Sequence, residues 1–204
     1  MEKCFIFGAG EYFGSLPEIP PDCFVIAADG GYSRLAAAGI EPGLIVGDFD
    51  SLGYVPASDN VLKFRSEKDK TDTELAIDEG LKRGCRKFYI YGGTGGRLDH
   101  TLANIQCLAR LSKLGLRGFL FGGGFAVTAL TDGSIDFDKN HKGYISVFAH
   151  GGSACGVDES GFKYRLTNAT LSSDAPIGVS NEFTGTKGKV SVKRGTLIIV
   201  YQNT

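Results

Sequence analysis

The sequence predicts an α/β protein: an N-terminal Rossmann-like, mostly parallel sheet with helices, followed by a smaller C-terminal all-β sandwich or barrel. Three observations predict it. The first 120 residues alternate short apolar runs with helical patterns, and such alternation builds parallel sheets covered by helices. After about Gly124 the helical patterns stop, and short strand candidates separated by turn residues take over, as in antiparallel sandwiches and small barrels. A chain of 204 residues, 42% hydrophobic and 22% charged, has room for two modest domains with ordinary cores. We therefore expect domains 1–124 and 125–204. A β domain of about 80 residues is marginal alone, so it is expected to pack on its neighbour or on a second subunit.

In order, Cys4–Gly8, Phe24–Ala28, Leu44–Val46, Val61–Phe64, Lys87–Tyr91 and Gly118–Phe121 are short, rich in β-branched or aromatic residues and closed by Gly, Asp or charges, the marks of strands. Helices are expected near Tyr32–Ala38, Asp72–Arg83 and Leu98–Leu114, the last with Leu98, Leu102, Ile105 and Ala109 on one face. Beyond residue 124, Ala126–Leu130, Ile135–Phe137, Tyr144–Ala149, Phe162–Leu166, Lys189–Val192 and Thr196–Val200 are strand candidates.

Composition excludes several classes. The formal charge is −1 with no basic run, so no nucleic-acid partner is expected. No apolar stretch approaches a signal peptide or a membrane span. Five cysteines without Cys-x-x-Cys spacing fit free thiols in a reducing compartment, the cytoplasm, better than disulfides or zinc.

The chemical signal lies in five aspartates. Asp29, Asp48, Asp50, Asp72 and Asp99 each fall where an apolar run meets glycines or a helix start, which is where α/β proteins gather loops into sites. Carboxylates assembled in one cleft require compensating cations or ligand donors, so the pattern suggests a divalent metal and a phosphate substrate. In Gly47-Asp48-Phe49-Asp50-Ser51 two carboxylates one residue apart on an extended segment point the same way, with Phe49 facing the core. Such hard oxygens suit Mg²⁺; the bland alternative is an acidic turn. Asp29-Gly30-Gly31 is either a helix N-cap with turn glycines or a backbone approaching a nucleotide.

In Lys70-Thr71-Asp72-Thr73-Glu74, Thr71 and Glu74 stand in capping-box relationship. That leaves Lys68, Lys70 and Asp72 for phosphate or metal at a helix N-terminus. The loop from Tyr91 to His100 holds four glycines, among them Gly93, with Thr94, Arg97 and Asp99. Its backbone N–H groups can wrap an anion, and Arg97 adds a planar donor fork. Asp99 can again be a cap, and His100 reads as a structural polar residue. Gly8-Ala9-Gly10 and Gly122–Gly124 read as turns. Gly178-Val179-Ser180-Asn181-Glu182 is either a small-molecule pocket or an ordinary polar loop.

Taken together and in order from residue 29 to residue 182, Asp-Gly-Gly, Gly-Asp-Phe-Asp-Ser, Asp-Lys-Thr-Asp-Thr-Glu, Gly-Gly-Arg-Leu-Asp-His, Gly-Phe-Lys-Tyr-x-Leu and Ser-Asn-Glu closely resemble the thiamine pyrophosphokinase family. The resemblance implies transfer of the pyrophosphoryl group of ATP to the hydroxyl of thiamine, giving thiamine diphosphate and AMP. It implies an ATP-binding catalytic domain over 1–124, a thiamine-binding β-sandwich over 125–204, and a homodimer with the active site between subunits. By the same resemblance Asp48, Asp50 and Asp72 are metal and catalytic acids, with Mg²⁺ as the cation. The resemblance places Arg97 in the loop beside the phosphates, while Asp29, Lys70, Thr71, Gly93 and Thr94 are expected from their own chemistry to serve the nucleotide and its phosphates. Asp99 serves catalysis and thiamine; Ser180 and Asn181 lie beside the thiamine ring. Relatives that stack thiamine on tryptophan, chiefly eukaryotic, differ from this chain, which has none; the bacterial-type branch is the nearer match, and the stacking partner is unassigned. The alternatives are a pyrophosphokinase for another hydroxymethyl heterocycle such as a pterin, or a non-catalytic thiamine or nucleotide sensor.

Overall fold

Runs such as Lys-Cys-Phe-Ile-Phe and Phe-Val-Ile-Ala-Ala, apolar on both faces, suit strands covered on both sides, and they form the centre of the first half of the chain. The computed structural model describes residues 1–50, 52–65, 67 and 69–203. It divides into two compact units, Met1–Asn104 with Leu120–Gly123, and Ile105–Phe119 with Gly124–Thr204.

The first unit holds β1 (Lys3–Phe7), β2 (Phe24–Ala28), α1 (Gly31–Ala37), β3 (Leu44–Gly47), β4 (Val61–Lys63), α2 (Asp72–Lys82) and β5 (Lys87–Tyr91). Strands β5, β1, β2, β3 and β4 lie side by side in that order, every pair parallel. Cys4 and Ile6 of β1 are buried on one face, Phe5 and Phe7 on the other. On the second face the rings of Phe5 and Tyr89 stack at 4.8 Å and those of Tyr91 and Phe121 at 4.5 Å. Helix α2 packs on β1, β2 and β3; a Cβ on Gly80 would lie 2.6 Å from the Phe88 ring, so only glycine admits this approach.

Helix α3 (Leu98–Lys113) and β6 (Arg117–Phe121) span the division between units. The apolar stripe expected on α3 is buried only towards its end, with Ile105 half-buried and Ala109 buried. Leu98 and Leu102 are 72% and 55% exposed, whereas Asn104, Cys107, Leu108 and Leu111 are buried. Both sets recur at helical spacing, so periodicity alone cannot choose between them.

The second unit holds β7 (Phe125–Phe137), β8 (Tyr144–Ser160), β9 (Leu166–Ser172), β10 (Gly178–Glu182) and β11 (Gly188–Gln202). The order is β10, β8, β11, β7, with β9 also on β8, and these pairings are antiparallel. The short strands expected here merge into long ones. Thr131-Asp132-Gly133, His150-Gly151-Gly152 and Arg194-Gly195 carry turn residues, yet each is an irregularity inside a strand. Asp132 has φ 45°, Gly151 φ 72° and Gly195 φ 115°; the Gly195 N–H donates to Asp132 Oδ1 at 2.8 Å. The register slips at this level in both β11 pairings. Burial on β11 alternates before the slip, at Val190 and Val192, and is continuous after it from Thr196 to Ile199. Across the slip β11 runs from Val192 to Thr196 while β7 runs only from Gly133 to Thr131, a bulge that bends the strand. Phe162–Leu166 is not a strand: Phe162 makes an isolated bridge to Phe183 and Leu166 opens β9. All five cysteines are free thiols.

Candidate active site

Strands β1 and β5 are neighbours, but the chain leaves β1 towards β2 on one side and β5 towards β6 on the other. Their carboxyl ends therefore diverge, and a crevice opens between the two loops, as at the switch points where α/β sheets bind ligands. A cavity of about 490 Å³ occupies this fork. Its walls are Gly8–Glu11 after β1, Ala28 and Asp29 after β2, Thr71–Thr73 at the start of α2, and Gly92–Arg97 after β5, with His100 and Asn104. The glycines are required by close approach: a Cβ on Gly8 would lie 2.6 Å from the Gly92 carbonyl oxygen, and one on Gly10 2.6 Å from that of Thr94.

Two side chains fix the β5 loop. Asn104, buried on α3, donates from Nδ2 to the Gly93 carbonyl at 2.7 Å. Glu11 accepts the Gly96 N–H at 3.0 Å. Thr94 is 4% exposed, and its hydroxyl has no hydrogen-bond partner among the described residues. A buried hydroxyl left so costs free energy unless a ligand or water completes it. Thr71 caps α2 by accepting the Glu74 N–H at 3.2 Å, so the helix presents its positive end here.

Asp29 is not a helix cap. It has φ 49°, and α1 begins after Gly30 with no side-chain cap. The turn is set by close packing: a Cβ on Gly31 would lie 1.9 Å from the Phe7 carbonyl oxygen. Asp29 instead lines the fork cavity, against Gly47, whose Cβ would stand 3.1 Å from its Cα.

One residue beyond Gly47 a second cleft opens, lined by Asp48, Asp50, Lys63, Phe64, Arg65 and Glu67. Asp48 and Asp50 do come together, though not on an extended segment: Phe49 has φ 64°, and the Asp50 N–H donates to Asp48 Oδ1 at 3.2 Å. Phe49 is buried in the cluster with Phe5, Phe7 and Leu35. Ser51 and Lys68 lie outside the described residues. Asp72 lines the fork cavity and not this cleft. Among the described residues, no group of three or more His, Cys, Asp or Glu converges as a metal site. Two hard carboxylates lining one cleft fit Mg²⁺, which takes one or two such ligands and completes its shell with water and phosphate.

The two expected phosphate cations are engaged with acids. Lys70 Nζ donates to Asp78 Oδ2 at 2.7 Å and lies 3.9 Å from Glu74. Arg97 grips Asp99 through Nε at 3.2 Å and Nη2 at 2.5 Å. The Arg97 guanidinium holds the Asp99 carboxyl down to about 2. Asp99 follows the first residue of α3.

In the second unit, Ser180 is exposed with φ 59°, and its N–H donates to Ser146 Oγ at 3.0 Å. Asn181 is buried, 5% exposed. Its Nδ2 donates to Glu159 Oε2 at 2.8 Å and to the Tyr164 carbonyl at 2.7 Å. Its Oδ1 accepts the Tyr164 and Glu182 N–H groups, both at 2.9 Å.

Sequence reading missed Glu11, Asn104 and Glu159. Glu11 directly follows a Gly-x-Gly dismissed as a turn, which is the one available signal; Asn104 lies within a helical pattern and Glu159 in a polar stretch between Asp158 and Ser160, with nothing to mark either.

Fold and cavity together define a mixed α/β protein with a large sheet, few helices and a glycine-walled cleft. The model for the thiamin pyrophosphokinase catalytic domain matches residues 19–120, and that for the thiamin pyrophosphokinase vitamin B1 binding domain matches residues 133–197. The chain is 32% identical over 182 residues to the thiamine pyrophosphokinase of Bacillus subtilis, covering 86% of this chain and 85% of that protein. The crystal structure of the Bacillus subtilis enzyme superposes with TM-score 0.87 at 29% identity over 99% of each chain. That from Geobacillus thermodenitrificans gives 0.83 at 27% over 99% of this chain and 98% of the other. The chain belongs to the thiamin pyrophosphokinase family.

Proposed function

We propose that this chain transfers the pyrophosphoryl group of ATP to the hydroxyl of thiamine, yielding thiamine diphosphate and AMP. The observation that carries the reading is the pair of family matches, one to each half of the chain, joined to a glycine-walled cavity at the β1–β5 fork. The parallel order of the first unit supports residues 1–124 as a Rossmann-like ATP-binding catalytic domain. The antiparallel order of the second supports residues 125–204 as a thiamine-binding β-sandwich or barrel. A homodimer with the active site between subunits, working in the cytoplasm, completes the reading; the five free thiols suit a reducing compartment.

The thiamine oxygen attacks the β-phosphorus, the bond from that phosphorus to the α–β bridging oxygen breaks, and the hydroxyl proton is lost. Alignment and charge neutralisation dominate such transfers. The N–H groups of the Gly92–Gly96 loop, the Thr94 hydroxyl and the α2 N-terminus at Thr71 would hold phosphate oxygens. Lys70 and Arg97 would exchange their carboxylate partners for phosphate, a modest cost for exposed pairs. Asp29 would contact the nucleotide. Asp48 and Asp50 would hold Mg²⁺, with Asp72 assisting from the neighbouring wall. Bound there, the cation would neutralise charge on the phosphate oxygens. Asp99, released when Arg97 turns to phosphate, would orient the thiamine hydroxyl or accept its proton. Ser180 and Asn181 would serve the thiamine ring.

The test supplies purified chain with ATP, Mg²⁺ and either thiamine or a hydroxymethylpterin, and reads products by mass spectrometry. Thiamine diphosphate and AMP support the proposal. A pterin diphosphate in its place, or thiamine binding with no AMP release, refutes it.

A further inference from the structure

Asn181 carries two amide donors and two acceptor lone pairs, and the protein consumes all four: Glu159 Oε2, the Tyr164 carbonyl, the Tyr164 N–H and the Glu182 N–H. No bonding capacity remains on that side chain for a ligand. What the amide does is mechanical. It clasps both backbone polar groups of Tyr164, at the end of the Phe162–Tyr164 stretch, to β10. A second tie runs alongside, from the Lys163 N–H to the Glu182 carbonyl at 3.0 Å. Two exposed features flank the clasp: the Tyr164 ring, 59% exposed, and Ser180 in its left-handed conformation.

Behind the amide stands Glu159 of β8, 1% exposed. Of its two carboxylate oxygens Oε2 accepts from Asn181, and Oε1 has no partner among the described residues. Burial raises its pKa, so the neutral acid is favoured. A group so costly to bury, set between Val190 of β11 and Leu166 of β9, serves an arrangement more than it serves stability. Without it one Asn181 donor would be left unsatisfied, and the amide could turn over to seek another acceptor, releasing Tyr164.

We propose that Glu159 is a positioning residue for the thiamine subsite, holding the Asn181 amide so that the Tyr164 and Ser180 segments keep one fixed relation. The inference rests on the reading of the second unit as the thiamine-binding part. It moves Asn181 from direct ligand to keystone, and adds an acid that acts only through it.

The experiment measures KM for thiamine, KM for ATP, kcat and melting temperature for the full chain, its Glu159→Leu variant and its Glu159→Gln variant. Loss of a buried acceptor predicts that Glu159→Leu raises KM for thiamine about tenfold while KM for ATP stays within about twofold. Glu159→Gln keeps an acceptor of the same reach and is expected to bring KM for thiamine back to within about twofold of the parent. A Leu variant that melts earlier but binds thiamine as tightly as the parent overturns the inference, since a merely structural role predicts that. Should Glu159→Leu fail to fold, Glu159→Asp withdraws the carboxylate by one methylene and must produce the same split; an unchanged thiamine KM there is equally fatal. If the parent chain forms no thiamine diphosphate at all, the functional reading falls and takes the inference with it.

Discussion

The carboxylate of Glu11 accepts the backbone N–H of Gly96 at 3.0 Å across 85 residues of sequence. It thereby joins the loop after β1 to the loop after β5, and it occupies with a carboxylate one of the N–H groups that an anionic ligand would seek. The glycine-rich loop is held in a shape suited to negative charge before any phosphate arrives.

Gly95 should therefore be intolerant of a side chain. It has φ 81°, and an added Cβ would meet the Glu11 side chain at 2.4 Å. Gly95→Ala pays left-handed strain and displaces Glu11, so KM for ATP is expected to rise by on the order of tenfold with thiamine KM little changed. Steady-state kinetics with each substrate varied in turn would show it; an unaltered ATP dependence removes this loop from the nucleotide site.

Asp48→Asn and Asp50→Asn are each expected to lower kcat by on the order of a hundredfold or more. The side chains are partly or fully exposed, so circular dichroism and melting should match the parent. Formation of thiamine diphosphate across a Mg²⁺ titration is the measurement. Full activity in either variant takes that residue out of the metal site.

The Arg97–Asp99 pair gives a titration test. Asp99 is depressed to about 2, chiefly by its hydrogen bond to Arg97, and Arg97→Gln should return it to the ordinary value of about 3.9. Because the folded-state value is depressed, the pair's contribution is present above about 3.9 and is lost as pH falls towards about 2. On a fully exposed pair that contribution is small. Carboxyl-detected NMR of both proteins decides: equal midpoints mean that the pair does not persist in solution.

Glu159 carries the opposite sign. Its folded-state value is raised by burial, so the stability tied to its proton is complete below about 4.3 and is lost as pH climbs through the raised value. Glu159→Gln cannot ionise. Its melting temperature should gain on that of the parent as pH increases across this range, and a pH-independent difference would count against a neutral Glu159.

The slip shared by β7, β8 and β11 predicts a stability effect. Gly195 has φ 115°, and a Cβ there would lie 2.8 Å from the Ser153 carbonyl oxygen. Gly195→Ala should cost about 2 kcal/mol and lower the melting temperature by roughly 4–8 °C. Differential scanning calorimetry would read this, and a melt equal to the parent's would mean that the strands absorb the side chain.

The strands around Phe24–Ala28 and Lys87–Tyr91 and the Thr71 cap were legible because each depends on a few adjacent residues. What escaped was decided at a distance. Asp29 looks like a cap locally, but the approach of Gly31 to Phe7 sets its conformation. Asp132 and Gly195 look like turns, but each answers the other across a strand pair. The acids Asp48 and Asp50 were correctly paired for an imperfect reason, since a left-handed Phe49 and not an extended segment brings them into one cleft. Asp72 was grouped with them through the family motif, and it lines the fork cavity while Asp48 and Asp50 line the second cleft.

The fork between β1 and β5 has a consequence for the order of biosynthesis. Lys3 pairs with Lys87 and Phe7 with Tyr91, so strands that are neighbours in space are made at widely separated times on the ribosome. A nascent chain that has released β1 to β4 possesses half a cradle: the Gly8–Glu11 wall exists, but its counterpart from Gly92 onward has not yet been translated. A ligand of this cleft cannot stabilise the emerging first half by binding it early. The binding cleft is born all at once, when the glycine loop after β5 clears the exit tunnel and closes against a partner synthesised more than eighty residues before.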